Sequence, residues 1–415
     1  MFCFRCGNLV TDNELFCGEC GTRKRHPSVD KSSSEEDAIT EYFYRGFEYT
    51  TILQFLQRFH QIEMSLSTLK RRLRTYGLQK RKAEFSEDQV KNIIKQEIEN
   101  CPSSLLGYRS MWNKLKRTYR INIPRDRVME ILKELDPEAT EERKSRRLRR
   151  RVYSSNGPNY VWHIDGYDKL KPYGLPIHGC VDGFSRKILW LCVCKTNNDP
   201  VIPACHFLRV VKEKGFCPEI VRTDCGTENG DLAAIQCTLT NNENGHHYGS
   251  SITNQRIENW WSHCRRGFSN WLINYFKTLV DNGIHQPGNK VHLACIQFVY
   301  RDLLQSNLDC VRDDWNNHFI RRSNNSHVWG IPDELYYFPE NWEFEDCGIE
   351  IGNDEIAAIE THTEIFEKEK EIEGERDDEL IDYFKYIIEQ YDFEYPPRDW
   401  EEGKKVFQTI MNNYE

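Results

Sequence analysis

Two aspartates end apolar stretches of the sequence, and each is followed directly by turn residues. Asp165 closes "VWHID" before Gly166, and Asp224 closes "IVRTD" before the loop "CGTENG". Apolar runs of this kind are typical of buried β-strands, and functional side chains are commonly presented where such strands run into loops. Both carboxylates are therefore candidates for one site.

A third acid is expected on a helix. The segment from 253 to 279 has helical periodicity, in which Ile257, Trp261 and Phe268 form an apolar stripe. The neighbouring polar stripe consists of Asn254, Glu258, Ser262 and Arg265. Glu258 is thus predicted to lie beside apolar packing while still facing a cleft.

Three converging carboxylates predict a metal site that acts on phosphodiesters. Carboxylate oxygens are the hard ligands that Mg²⁺ and Mn²⁺ prefer. Two such ions held roughly 4 Å apart can activate an attacking oxygen and stabilise a leaving oxygen. We expect Asp165, Asp224 and Glu258 to be catalytic residues and ligands of Mg²⁺ or Mn²⁺. The alternative is that the aspartates cap turns and that Glu258 pairs with Arg265.

The elements around these acids predict an α/β fold with a mixed sheet. Three strands come first, "YVWHIDG", "LPIHGCVD" and "KILWLCVC", and the turn "GFSR" joins the second and third as a hairpin. Helices and strands then alternate: a helix over 199–214, the strand "IVRTD", the helix "NGDLAAIQCTL", the short strand "HHYG" and the long helix. Such a sheet brings both aspartates to strand ends.

The ordered motifs "VWHIDG", "VDGFSRKILWL", "VRTDCGTENG" and "GSSITNQRIENWW" resemble the integrase core of the DDE transposase and retroviral-type integrase superfamily. The resemblance covers roughly residues 40 to 339 and implies a ribonuclease H-like fold. Its two aspartates and its glutamate match Asp165, Asp224 and Glu258, with 33 residues between the last two. Asp182, in "VDGFS", matches the hairpin, where aspartate favours the turn by local hydrogen bonding.

The resemblance implies metal-dependent DNA strand cleavage and strand transfer, and therefore DNA integration. It also implies DNA as a partner and a homo-oligomer of this chain, without a small-molecule cofactor. Two alternatives stay open. One is a domesticated, transposon-derived DNA-binding protein without transposition activity, and the other is an RNA-directed ribonuclease on the same fold.

The start of the chain predicts a zinc ribbon in residues 1–26. Two C-x2-C pairs are separated by ten residues, and a glycine follows each pair. Four thiolates in this spacing form a closed tetrahedral Zn²⁺ site, which can fold a segment too small for a core of its own. The expected Zn²⁺ ligands are Cys3, Cys6, Cys17 and Cys20.

Two helical units are predicted next, over 38–80 and 84–137. In the first, a helix is followed by a short turn and a second, basic helix that Ser65 or Ser67 can cap, as in a helix-turn-helix. The second unit has a similar form. The DNA-binding candidates on the basic helix are Lys70, Arg71, Arg72 and Arg74. The alternative is an ordinary solvated helical face.

Residues 138–158 are expected to form an arginine-rich linker. Its basic side chains include Arg146, Arg147, Arg149, Arg150 and Arg151. Such a run is typical of a solvated linker or a nuclear import signal, and equally of an arm that grips DNA phosphates. Both roles are compatible.

Charge is unevenly distributed along the chain, although its net charge is only −9. Residues 1–151 hold 31 basic and 22 acidic side chains, whereas 340–415 hold 7 and 25. The basic region suits a polyanion such as DNA. The catalytic core is assigned to 159–339, and 340–415 is expected to be an acidic, solvated tail.

The sequence lacks a secretory signal and an apolar run of the roughly 20 residues that a membrane helix needs. We therefore expect no membrane association and reduced cysteines. A nuclear location is expected from the DNA-binding transposase hypothesis.

Overall fold

The computed structural model describes residues 34–78, 87–100, 107–119, 121–135, 153–249, 254–322, 328–373 and 379–414. The chain divides into two compact units, Met1–Arg149 and Arg150–Glu415. Among the described residues, no helix is both long enough and apolar enough to cross a membrane.

The described part of the first unit is helical. Its helices are α1 (Glu35–Arg45), α2 (Tyr49–His60), α3 (Leu66–Thr75), α4 (Glu87–Asn100), α5 (Tyr108–Thr118) and α6 (Arg125–Leu135). In helices α4 to α6, apolar residues at helical spacing form a core that includes Ile94, Met111, Leu115 and Ile131.

Helices α2 and α3 lie where the first helix-turn-helix is predicted. Helix α2 ends at His60 and is capped by Gln61, which adopts a left-handed conformation (φ 57°). Helix α3 begins after Ser65, whose hydroxyl accepts from the Thr68 amide (3.2 Å) and so satisfies a free donor of the first turn. The inner face of α3 carries Leu69 and Leu73, both buried. The turn is short and capped, as the sequence predicts, while recognition of DNA by this unit stays a prediction.

The second unit is built around a mixed five-stranded sheet. Its described strands are β1 (Val161–Tyr167), β2 (Ile177–Asp182), β3 (Ile188–Val193), β4 (Phe216–Cys217), β5 (Ile220–Asp224), β6 (His246–Gly249) and β7 (Ile349–Glu350). The sheet order is β3-β2-β1-β5-β6, and β4 pairs separately with β7. Strands β1 to β3 are antiparallel, whereas β5 runs parallel to β1 and to β6. The predicted mixed α/β arrangement is confirmed and is consistent with a ribonuclease H-like core.

Helices cover both faces of this sheet. They are α7 (Val201–Lys214), α8 (Gly230–Thr240), α9 (Gln255–Cys264), α10 (Asn270–Asp281), α11 (Lys290–Asn316), α12 (Pro332–Tyr337), α13 (Asn353–Thr363), α14 (Ile365–Glu373), α15 (Glu379–Gln390) and α16 (Trp400–Tyr414). A π-helical segment, Arg265–Ser269, divides the long helix predicted over 253–279 into α9 and α10.

Alternation along β1 assigns its residues to two cores. Trp162 and Ile164 pack with Phe207 of α7 on one face of the sheet. Tyr167 packs with Trp261 of α9 on the other. Because successive side chains of a strand point to opposite faces, His163 and Asp165 share the α9 face with Tyr167.

Helix α11 covers the outer edge of β3. Gln305 accepts from the Val193 amide (2.8 Å) and donates to the Leu191 carbonyl (3.0 Å). Asn316 bonds both backbone groups of Ile188 in the same way, at 2.8 and 3.0 Å. Side-chain amides therefore satisfy strand groups that would otherwise form an open edge.

The expectation that 340–415 is a solvated tail is wrong for its described residues. Helices α15 and α16 bury Phe384, Ile387 and Phe407 in the core beside α11. Helix α14 is attached by Glu369, which accepts from both terminal nitrogens of Arg209 at 2.8 and 2.7 Å. The acidic side chains lie largely on the outer faces of helices whose inner faces are apolar, so the average charge concealed a packed region.

Candidate active site

Asp165 lies near the end of β1, on the face that α9 covers. Its Oδ2 accepts a hydrogen bond from the Trp261 indole nitrogen (2.9 Å). Burial, together with the nearby charges of Glu258 and Asp224, raises the pKa of Asp165 from its usual value to about 7. The carboxylate therefore lies in a site that is short of positive charge.

Asp224 is the last residue of β5, the strand that runs parallel to β1 on its other side. The Asn229 side-chain amide donates to its Oδ1 (3.1 Å). Asn229 is itself buried and belongs to a short 3₁₀ turn, Thr227–Asn229, in the loop that follows the strand. The two aspartates thus lie on adjacent strands, as the sequence predicts.

Glu258 lies in the first turn of α9 and is half-buried, between the buried Ile257 and Trp260. Burial and the charge of Asp224 raise its pKa, and the ammonium of Lys169 opposes this effect. The polar stripe predicted for this helix therefore carries one acid toward the aspartates.

The start of α9 is joined to β1 through His163. Its Nδ1 donates to Asn254 Oδ1 (2.7 Å), and the Tyr153 hydroxyl donates to its Nε2 (2.8 Å). Asn254 in turn donates to the Ile164 carbonyl (2.9 Å). Burial lowers the pKa of His163 to about 3, which agrees with a neutral ring bonded at both nitrogens. His163 is thus engaged in joining strand to helix, although it shares the sheet face of Asp165.

The three acids lie near enough for their charges to affect one another. Glu258 and Asp224 both raise the pKa of Asp165, and Asp224 also raises the pKa of Glu258. The alternative pairing of Glu258 with Arg265 is not seen, and Arg265 Nε instead donates to Asn270 Oδ1 (3.3 Å). Uncompensated negative charge on hard oxygen donors suits a divalent cation. Within the described ranges, however, no group of three or more His, Cys, Asp or Glu side chains is placed so that it could hold a metal ion.

Residues 152–337 match the family model described as the integrase core domain. This segment is an integrase core domain. No curated protein matches the chain. The matched range includes the five-stranded sheet and all three acids, so the carboxylates belong to the integrase core. Integrase core domains generally belong to polynucleotidyl transferases that bind DNA.

Asp182 of the integrase core has the local role that the sequence predicts. Its Oδ2 accepts from the Ser185 amide and hydroxyl at 2.7 and 2.6 Å, and its Oδ1 accepts from the Asn159 amide (2.8 Å). Burial raises its pKa to about 6. These bonds shape the hairpin between β2 and β3, and Asp182 is not part of the acidic group.

Two residues that support the acids were not identified as such from the sequence. The sequence places Trp261 only in the apolar stripe of the helix, and Asn229 only in a turn-rich loop. The spacing of Trp261 three residues after Glu258 was visible, but its bond to a side chain 96 positions away was not. Neither periodicity nor turn chemistry predicts such long-range hydrogen bonds.

The other predicted site residues divide between described and undescribed segments. On α3, Lys70, Arg71 and Arg74 are exposed, whereas Arg72 forms an ion pair with Glu35 (2.7 Å). The remaining candidates lie outside the described residues and stay predictions: Cys3, Cys6, Cys17, Cys20, Arg146, Arg147, Arg149, Arg150 and Arg151.

Proposed function

We propose that this protein is a transposase or integrase-like enzyme that binds DNA, cuts its strands and joins them to a target. Asp165, Asp224 and Glu258 are the catalytic carboxylates in this proposal. The observation that carries it is the mutual electrostatic effect of three acids from β1, β5 and α9 within an integrase core.

The donor set fits Mg²⁺ or Mn²⁺ in both chemistry and charge. All three residues offer carboxylate oxygens, and each pair repels. Asp165, Asp224 and Glu258 would hold the metal, which when bound would activate the attacking oxygen and stabilise the leaving oxygen of a phosphodiester. The protein's part is to hold two strand ends and one helix so that the carboxylates face the same phosphate.

Lys169 brings positive charge to the open side of the site. It is exposed, and its ammonium lowers the pKa of Glu258. A DNA phosphate approaching three carboxylates would be repelled, and a nearby cation reduces that repulsion. We therefore assign Lys169 to the path by which DNA enters.

The first unit and the linker supply DNA binding in this proposal. The exposed cations of α3, the predicted zinc ribbon with bound Zn²⁺ and the arginine-rich linker would hold the duplex. Because strand transfer joins two DNA ends to a target, the active form would be a homo-oligomer. Its place of action would be the nucleus, with the arginine run serving also for import.

A domesticated DNA-binding protein is the second candidate function. It is favoured by the side-chain placement, in which no three acids, histidines or cysteines of the described residues are close enough to hold a metal ion. In that case Asp224 and Asp165 would persist for local structure, as Asp182 does.

The test is nicking and joining of duplex DNA by the purified full-length protein with Mn²⁺ or Mg²⁺. The double variant Asp165→Asn, Glu258→Gln is expected to be inactive because it removes two of the three negative donors. Preference for the RNA strand of a hybrid would instead indicate a ribonuclease. Absence of cleavage in the unchanged protein, with DNA binding retained and suitable ends supplied, would favour the domesticated protein.

DNA affinity should depend on salt through α3. Each phosphate contact contributes about −0.9 to the slope of log affinity against log salt concentration. Replacing Lys70, Arg71 and Arg74 with alanine is therefore expected to make the slope less steep by about 2 to 3. Fluorescence anisotropy with a labelled duplex at several salt concentrations measures it. Lys405→Ala, at an exposed position of the second unit, serves as a control, and equal slopes for all three proteins would exclude α3 from the interface.

A further inference from the structure

A tryptophan side chain of the helix that carries Glu258 bonds directly to Asp165 on the neighbouring strand. Trp261 lies three residues after Glu258 on α9, and its Nε1 donates to Asp165 Oδ2 (2.9 Å). Side chains three residues apart lie on the same side of a helix. The indole therefore links the position of Asp165 on β1 to that of Glu258 on α9.

The indole ring is held in place by its neighbours. The Tyr167 ring stacks against it, with centroids 4.9 Å apart and planes inclined by 28°. The Tyr167 hydroxyl is in turn hydrogen-bonded to Ser269 Oγ (2.6 Å), in the π-helical segment. The ring thus has little freedom to turn its N–H away from the carboxylate.

A glycine makes room for this ring on the sheet. Gly179 of β2 is the direct partner of Asp165 across the strand pair. A Cβ atom at Gly179 would lie 3.1 Å from Cη2 of Trp261, which is tighter than ordinary carbon contacts. The bare backbone at 179 therefore permits the approach of Trp261 to the strand.

We propose that Trp261 is a positioning residue, whose indole N–H orients the Asp165 carboxylate and fixes its distance from the helix of Glu258, and so sets the affinity of the site for a divalent cation. The inference rests on the proposed function of the three carboxylates. Partners that orient metal ligands commonly change metal affinity by about 10- to 100-fold when they are removed.

The test is a titration of the metal-depleted full-length chain with Mn²⁺, in which electron paramagnetic resonance measures the free ion. Binding that Asp165→Asn removes defines the site. Trp261→Phe keeps the aromatic ring but loses the N–H, and it is expected to weaken this binding about 10- to 100-fold. Strand cleavage by this variant should need correspondingly more Mn²⁺ and recover at saturation.

The matched control is Trp260→Phe. Trp260 is the preceding residue and equally buried, but its indole nitrogen has no hydrogen-bond partner among the described residues. This change should leave Mn²⁺ affinity within about twofold, because it deletes an N–H that orients nothing. Without metal, both variants should unfold at similar temperatures. Gly179→Ala, which keeps the N–H but displaces the ring, should weaken Mn²⁺ binding as Trp261→Phe does.

The outcomes separate this inference from the proposed function. Unchanged Mn²⁺ affinity in Trp261→Phe, with binding that still depends on Asp165, overturns the positioning role and leaves the proposed function standing. Equal losses in Trp261→Phe and Trp260→Phe show a packing effect and also overturn it. If the unchanged protein binds no more Mn²⁺ than the Asp165→Asn variant does, both the positioning role and the proposed function fail.

Discussion

Replacing Asp224 with asparagine is expected to slow DNA strand cleavage by at least about a thousandfold, which corresponds to roughly 4 kcal/mol of activation free energy. The substitution removes one of the three negative oxygen donors that the proposed function assigns to catalysis, and whose charges affect one another. Residues that act as a unit lose most of their effect when one of them is removed. Cleavage should therefore fall nearly as far as in the Asp165→Asn, Glu258→Gln double variant.

The fold should survive this change. An asparagine at 224 keeps an amide oxygen that can accept from Asn229, so the end of β5 retains its local bond. Loss of one of three like charges also relieves repulsion within the site. We therefore expect the thermal midpoint of Asp224→Asn to equal or slightly exceed that of the unchanged protein.

Single-turnover cleavage and DNA affinity should be measured side by side. Asp224→Asn should retain duplex affinity within about twofold, since the contacts assigned to binding lie elsewhere and phosphate contacts dominate affinity. Asp231→Asn removes the same charge at an exposed position in the next helix and should cleave normally. Normal cleavage by Asp224→Asn would contradict the assignment of the catalytic acids. A collapse of DNA affinity would place Asp224 in the binding surface instead.

The positions of the two aspartates could be predicted because local rules determine them. An apolar run followed by turn residues predicts a strand and its end, and the structure has Asp165 near the end of β1 and Asp224 as the last residue of β5. The cap at Ser65 and the turn role of Asp182 follow from equally local hydrogen bonds. These interactions span only a few residues, so the sequence contains both partners.

The long-range hydrogen bonds around the acids could not be predicted from the sequence. The bonds from Trp261 to Asp165 and from His163 to Asn254 each connect residues more than 90 positions apart. They depend on how α9 packs against β1, which periodicity does not determine. From the sequence alone Trp261 is an ordinary core residue, and only its three-dimensional surroundings reveal the bond to Asp165.

The C-terminal region shows a different limit of the sequence. Its high acidic charge favoured a solvated tail, yet Leu380, Phe384, Ile387 and Ile388 recur at helical spacing, and the structure has a helix there. The net charge of residues 340–415 does not show that acidic and apolar residues occupy opposite faces of the helices there. The partner surface on α11 lies far away in the sequence, so its presence could not be inferred.

Deleting residues 379–415 is expected to prevent the second unit from folding to a soluble form. Helices α15 and α16 contribute eight buried apolar side chains to the core that they share with α11: Phe384, Ile387, Ile388, Trp400, Val406, Phe407, Ile410 and Met411. At about 1.5–3 kcal/mol each, their burial is worth roughly 12–24 kcal/mol. That is comparable to or larger than the net stability of about 5–15 kcal/mol typical of proteins, and the uncovered face of α11 would favour aggregation.

Point variants test the same packing without removing whole helices. Phe407 is fully buried, and Phe407→Ala should lower the free energy of unfolding by about 3–5 kcal/mol. Tyr386→Ala, at a side chain that is 58% exposed on α15, should change it by less than about 0.5 kcal/mol. Urea denaturation followed by circular dichroism measures both.

The apolar face of α16 belongs to the same core cluster as α9. The Phe407 variant should therefore also weaken Mn²⁺ binding if residues 379–415 help hold α9, the helix that carries Glu258. The opposite outcome is a chain without residues 379–415 that is soluble and has an unchanged free energy of unfolding. It would show that these residues are the solvated tail that their composition suggests.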